Sequence, residues 1–142
     1  MVIPNMSALA LSKAIHNKQV SCREVMQAYL KQIETYNPAS NAIVSLAPQD
    51  ALLAQADERD AQLGRGQSMG WMHGLPQAVK DLLDVQGFRT SHGSPLTPLT
   101  PAGKDSLMAA RMRAAGCIMI GKTNTPEFGL GSHTFNEVFG AT

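Results

Sequence analysis

Several things are scarce in this sequence, and each scarcity excludes something. Only two of the 142 residues are cysteines, Cys22 and Cys117, and they stand far apart with neither metal-binding nor redox spacing. A disulfide scaffold or a thiolate metal cluster is therefore not expected, and a reduced, cytoplasmic setting is. Charge of one sign is not in excess: twelve basic residues against eleven acidic ones leave a formal charge of +1. A nucleic-acid binder usually concentrates a basic face, so no nucleic-acid partner is expected. No apolar run reaches membrane-spanning length, and no charged start leads into an apolar stretch, so neither a membrane partner nor secretion is expected. Aromatics make up 5% and charged residues 16% of a chain that is 44% hydrophobic, an ordinary globular balance.

The most informative absence is local. All twelve glycines fall between Gly64 and Gly140, and residues 1–63 contain none. That divides the chain into a helical N-terminal region, 1–63, and a glycine-punctuated region, 64–142. In the first, Ser7 is placed to cap a helix over 7–17, with Leu9, Ala10 and Ala14 at helical spacing. Ser21 and Glu24 form a capping box, each side chain satisfying the other residue's orphan backbone donor. Val25, Met26, Tyr29, Leu30, Ile33 and Tyr36 follow as one apolar stripe, which Asn37-Pro38 is expected to end. Residues 42–46 fit a short strand, and Pro48 with Asp50 opens a third helix reaching Gly64.

Beyond Gly64 the pattern predicts a strand over 74–80, a long loop over 84–103 and a helix from Asp105 to Ala115. Leu107, Met108 and Met112 are expected on that helix's buried side, with Gly116 at its C-terminal stop and Cys117–Ile120 as an apolar strand. Strand, loop, helix, strand is the order of an α/β sheet with a crossover helix.

Gly116 to Thr123 matches the phosphate-loop pattern G-x-x-x-x-G-K-[ST]. A helix precedes it, its middle reads as buried strand, and Pro126 hinders a following helix, so nucleotide binding is not expected. His16, His73, His92 and His133 have no paired metal spacing and are expected on the surface or in loops, with no metal site. The methionines stand mostly at packing positions, and Lys13, Lys18, Arg23 and Lys31 are expected to form a solvated face. Lys80 differs, because it lies between Ala78-Val79 and Leu82-Leu83 in an apolar segment. A lysine there is either deprotonated and available as a general base, or it reaches solvent or pairs with Asp81 or Asp84.

The blocks His73–Leu82, Val85–Ser94, Asp105–Gly116, Gly121–Phe128 and Asn136–Thr142 resemble, in order and separation, the opening of the amidase signature family. The resemblance implies the start of a mixed-sheet α/β core behind the helical lead-in. It also implies an amide hydrolase with a serine–serine–lysine triad, in which Lys80 is the neutral base. In that family the base deprotonates a bridging serine, which activates the nucleophilic serine. No metal, nucleotide or organic cofactor is needed for this chemistry. The stretch Gly129-Leu130-Gly131 matches a segment that lines the family's acyl pocket, although a plain glycine-rich loop accounts for it equally well.

The family's glycine- and serine-rich signature follows the Phe-Gly-Ala-Thr segment, on which this chain stops. The expectation is therefore an N-terminal portion that carries the base, lacks both serines and is inactive alone. Its substrate class in the complete enzyme is a small amide. Self-association of the unfinished sheet is also expected. Two other readings stand beside it: a noncatalytic remnant or interaction module, and the A subunit of a glutamyl-tRNA amidotransferase. That amidotransferase component typically carries Met-Asp where this chain has Thr125-Pro126, and Ala-Met-Gly where it has Gly129-Leu130-Gly131.

Overall fold

The computed structural model describes residues 2–142. Helices α1 (Ala8–His16), α2 (Cys22–Ser40) and α3 (Gln49–Gly64) and strand β1 (Ile43–Leu46) come from the N-terminal region. Strand β2 (Pro76–Lys80), helix α4 (Leu107–Ala114), strand β3 (Ile118–Thr123) and the minimal hairpin β4 (Phe135–Asn136) and β5 (Gly140–Ala141) complete the chain. Both predicted caps form: Ser7 Oγ accepts from Ala10 N, and Ser21 and Glu24 close the reciprocal capping box.

The main sheet has the order β1-β3-β2, with β1 antiparallel and β2 parallel to β3. It is thus a mixed sheet, and residues on both sides of Gly64 contribute to it. The parallel pair requires a crossover, which the 81–117 segment with α4 provides. Helices α2 and α3 pack against each other, and the core lies between them, α1 and the sheet. Leu11, Ile15, Val25, Met26, Leu52, Val79 and Ile118 are sealed from solvent there. Each such side chain contributes about 1.5–3 kcal/mol of burial free energy.

Two glycines are required by geometry. At Gly121 a β-carbon would lie 2.1 Å from Ser45 O of β1, so only glycine lets these strands approach. Gly116 stops α4 at φ +102, where its missing side chain leaves room for the His73 backbone, 2.7 Å from any added β-carbon.

The structure departs from sequence expectation in several places. Helix α2 runs through Pro38 to Ser40, because a proline in the last turn forfeits one hydrogen bond but leaves the turn intact. Asn41 in the left-handed region ends the helix, and the Asn37 side chain accepts from Ala42 N and Ile43 N. Leu9 and Tyr36 are exposed, so the buried stripes are narrower than the apolar spacing suggested. Ser106, not Asp105, caps α4; Asp105 pairs with Arg113 at 2.8 Å, which holds its carboxyl below the usual range. On α4 the buried residue is Ala109, while Leu107 (68% exposed) and Met108 (46% exposed) face outward. Met112, the third residue expected on the buried side, does pack against the core, partly buried. His73 sits in the turn before β2, a loop position as expected, but it is fully buried. Its Nδ1 accepts from Met69 N, so Nε2 carries the proton and donates to Arg59 O at 2.9 Å, tying α3 to the turn before β2.

Candidate active site

In open α/β sheets, functional groups gather where parallel strands end at their carboxyl edge. Here β2 ends at Lys80 and β3 at Thr123, and these two residues are register partners. The segments 81–94 and 124–131 leave the sheet side by side at this edge.

Lys80 is the last residue of β2 and is exposed, so of the readings its apolar neighbours left open the solvent-reaching one holds, not the buried one. Strand alternation turns Val79 into the core and Lys80 out of it. Its Nζ donates to the carbonyl oxygen of Asn124 at 3.0 Å. Neither Asp81 nor Asp84 pairs with it: Asp81 is engaged elsewhere, and Asp84 lies out in solvent.

The buried lysine is Lys122, the residue that made the phosphate-loop match. It lies within β3, fully enclosed, with Nζ 3.1 Å from Asp81 Oδ1 and 3.0 Å from Thr90 Oγ1. A lysine locked into a sheet in this way cannot belong to a phosphate-wrapping loop. Asp81 also accepts from Ser91 N at 3.2 Å and from Ser91 Oγ, while Ser91 Oγ accepts from Gly93 N at 3.0 Å. The pair therefore anchors the 89–94 loop directly beneath the end of β2. A charged residue inside an otherwise apolar strand was the available sequence signal for Lys122, hidden by the more familiar motif.

The 124–131 segment is organised by two asparagines. Asn124 is buried; its Oδ1 accepts from Thr125 N at 3.0 Å and from Asn136 Nδ2 at 2.7 Å. Its Nδ2 donates to Gly140 O at 3.2 Å and Thr142 Oγ1 at 2.9 Å. Asn136 Nδ2 also donates to Thr125 O, and its Oδ1 accepts from Val138 N and Phe139 N. Both amides thus have all their donors and acceptors engaged, with each other, with backbone and with the Thr142 hydroxyl. Neither residue stands out in the sequence, because the bonds that join Asn124 to Asn136, Gly140 and Thr142 span distant positions and leave no spacing pattern.

Beyond them, Phe128 and His92 each adopt positive φ, +50 and +52 respectively. Phe128 N donates to His92 O at 2.7 Å, and the two rings stack with centroids 6.1 Å apart. Such strained non-glycine backbone persists only where neighbours over-determine it. A cleft of about 470 Å³ opens alongside, lined by Phe128, Leu130, Gly131, Ser132, His133 and Phe135 among others. Leu130 and Gly131 are part of its wall, whereas Gly129 packs toward Leu82. Lys80 does not line this cleft; the Asn124–Pro126 stretch joins the two.

Both cysteines are free and buried. Burial, with the Asp60 charge nearby, pushes the Cys22 thiol up to about 12, and burial pushes Cys117 up to about 11. Neither is a nucleophile at neutral pH. Among the described residues, no group of three or more histidine, cysteine or carboxylate side chains is placed to hold a metal ion. No helix among them is long and apolar enough to cross a membrane.

Comparison with known proteins gives this strand-edge arrangement its context. The A subunit of the glutamyl-tRNA(Gln) amidotransferase from Alkaliphilus metalliredigens is 35% identical over all of this chain and 29% of the relative. The structure of native peptide amidase from Stenotrophomonas maltophilia superimposes with a TM-score of 0.85 at 27% identity, over 97% of this chain and 29% of that one. A chain from a vestigial complex, described as revealing the origins of an s-triazine catabolic enzyme, gives a TM-score of 0.87 at 32% identity over 95% and 30%. This chain thus spans less than a third of the length of these relatives. The family profile described as Amidase matches residues 24–142, from the capping box to the last hairpin strand, and on that match the chain belongs to the amidase family.

Proposed function

We propose that this chain is the lysine-bearing portion of an amide hydrolase of the serine–serine–lysine type, with Lys80 as its general base. The observation that carries this reading is the placement of Lys80. It ends β2 at the sheet's carboxyl edge, exposed and paired with no carboxylate among the described residues, with Nζ held by one carbonyl oxygen. A carboxylate paired with the lysine would hold it as the ammonium and make it a poor base, whereas a lysine at a rigid strand end without such a partner can, as the free amine, accept a proton from an adjacent hydroxyl.

In the proposed mechanism the neutral Lys80 amine takes a proton from a bridging serine. The bridging serine in turn deprotonates the nucleophilic serine as it attacks the amide carbon. Backbone amides beside that nucleophile hold the oxyanion, the proton returns to the leaving amine, and water then attacks the acyl-serine through the same relay, releasing the acid and restoring the serine. Both serines belong to the family's signature segment rather than to these 142 residues, so the chain by itself supplies the base only. Leu130 and Gly131, with Phe128 and Phe135, offer a mainly apolar wall for the acyl group of a small amide, and Gly129 shapes the turn between them. No cofactor is required by these steps, and no nucleic acid or membrane takes part in them. The exposed apolar side chains around α4 favour self-association of the isolated chain.

The test is turnover by a form of the protein that also carries the signature segment, assayed on small amides. Lys80→Ala should lower kcat by several orders of magnitude, the scale expected for loss of a triad member. Turnover that survives the substitution removes Lys80 from the mechanism.

A second reading is that of the amidotransferase component, which would work with protein partners on a tRNA substrate; the names of curated relatives favour it. Among them is one from Thiobacillus denitrificans that is 39% identical over 99% of this chain. Glutamine-dependent amide transfer in place of simple hydrolysis would decide for it. A third reading, a noncatalytic interaction module, predicts no turnover in any form.

A further inference from the structure

We propose that Asn124 is a positioning residue for Lys80: its side chain clamps its own peptide so that the backbone carbonyl faces the lysine ammonium. The inference rests on the reading of Lys80 as the functional group, but its test does not use turnover.

Carbonyl oxygens at a strand end ordinarily rotate toward water or another strand. The carbonyl of Asn124 does neither, because the peptide is immobilised from both sides. Ahead of it, Asp81 N donates to Thr123 O and Asn124 N donates to Ala42 O, each at 2.9 Å. Behind it, Asn124 Oδ1 accepts from Thr125 N, and Asn136 Nδ2 binds both Asn124 Oδ1 and Thr125 O. The side-chain nitrogen of Asn124 reaches the final hairpin through Gly140 O and Thr142 Oγ1. Four polar partners thus converge on one buried side chain, and the backbone carbonyl of the same residue accepts from Lys80 Nζ. A lysine side chain has several rotatable bonds whose freedom must be given up when its head is fixed, so an immobile acceptor is what keeps that head in one place. Because the same side chain grips Gly140 and Thr142, the lysine head and the end of the β5 segment are held in a fixed relation.

The test is the ammonium signal of Lys80 in the ¹⁵N-labelled 142-residue chain at mildly acidic pH and low temperature. In the parent protein the hydrogen-bonded ammonium should exchange its protons measurably more slowly than that of exposed Lys104. Asn124→Ala should accelerate exchange at Lys80 at least fivefold. Asn41→Ala, which releases Phe139 O and Ala141 O of the same hairpin without touching Asn124, should change it by less than twofold. Should Asn124→Ala fail to fold, Thr142→Val removes one partner of Asn124 Nδ2 at an exposed position and should accelerate exchange about twofold. Unchanged exchange in a folded Asn124→Ala protein, or in Thr142→Val, overturns the proposal, as does an equal acceleration by Asn41→Ala. Slow exchange that depends on Asn124, in a protein whose turnover ignores Lys80, would leave the positioning intact and sink the assignment of the base.

Discussion

Lys122 Nζ and Asp81 Oδ1 lie 3.1 Å apart with both side chains sealed from solvent, and the pair joins the C-terminal end of β3 to the loop that leaves β2. Taking two charges out of water is expensive, and their attraction offsets that only when the remaining polar atoms are also satisfied. Here they are: Thr90 Oγ1 completes the lysine, and Ser91 completes the carboxylate. Lys122→Met or Asp81→Asn should each destabilise the chain by about 3–5 kcal/mol, because either leaves an uncompensated buried partner. The double variant should recover most of that loss in urea unfolding. A double variant as unstable as the worse single one would show that the pair itself carries net stability.

Gly121 is the second structural commitment of β3. An alanine there would place its β-carbon 2.1 Å from a backbone oxygen, and backbone cannot move aside as a flexible side chain does. Gly121→Ala should destabilise by about 1–3 kcal/mol or more, the range for overpacking, and should selectively expose the amides of β1. Hydrogen exchange would read this as lost protection at the β1–β3 ladder while the β2–β3 pairing persists. Uniform protection in a folded Gly121→Ala protein would contradict the close-approach account.

Much of this architecture was legible in the sequence because local chemistry and burial agreed. Ser21 and Glu24 announced a helix start that formed as written, and Pro48 and Gly116 marked boundaries within a residue or two. Local patterns fell short where a residue's partners lie far along the chain. Asn41 and Asn124 take their partners from residues 139–142 and 136–142, and Lys122 from Asp81 and Thr90, so no window of spacing reveals them. Apolar spacing also overstated burial on α4 and at Tyr36, because periodicity shows which face is apolar but not whether anything covers it. At the candidate site, Lys80 was legible as unusual for its neighbourhood, while the asparagine that meets it was not.

The cysteines make a pH-dependent prediction. Cys22 is raised from an ordinary 9.0 to about 12, first by burial and then by Asp60, and Cys117 to about 11, first by burial. In the folded chain both thiols stay protonated where unfolded thiols ionise. Between about pH 9 and 11 the native state therefore binds more protons than the unfolded state, and stability falls as pH rises through that window. Urea midpoints should decline there, and the decline should weaken in Cys22→Ala measured against its own neutral-pH value. At pH 8 iodoacetamide should label neither thiol in the native chain and both in urea. Rapid native labelling of Cys22 would refute its buried, protonated state.

The uncovered apolar surface leads to the last prediction. Leu96, Leu99 and Leu107 are 84%, 78% and 68% exposed, and Met108 lies beside Leu107 at the start of α4. Single exposed leucines are unremarkable on any protein, but several large side chains on one loop–helix region present water with area that association would remove. At about 25 cal/mol per Å² of apolar surface, modest burial between two copies only narrowly offsets the entropy of association, so a weak and concentration-dependent contact is expected. Sedimentation of the 142-residue chain should show mass rising with concentration in the tens to hundreds of micromolar, and lowering the temperature should weaken the effect, as it weakens apolar burial. Leu96→Ser/Leu99→Ser and Leu107→Glu should each shift the chain toward monomer without lowering its unfolding midpoint, since these three side chains bury little in the fold. A sharp monomer at all concentrations would show instead that this surface is solvated as it stands.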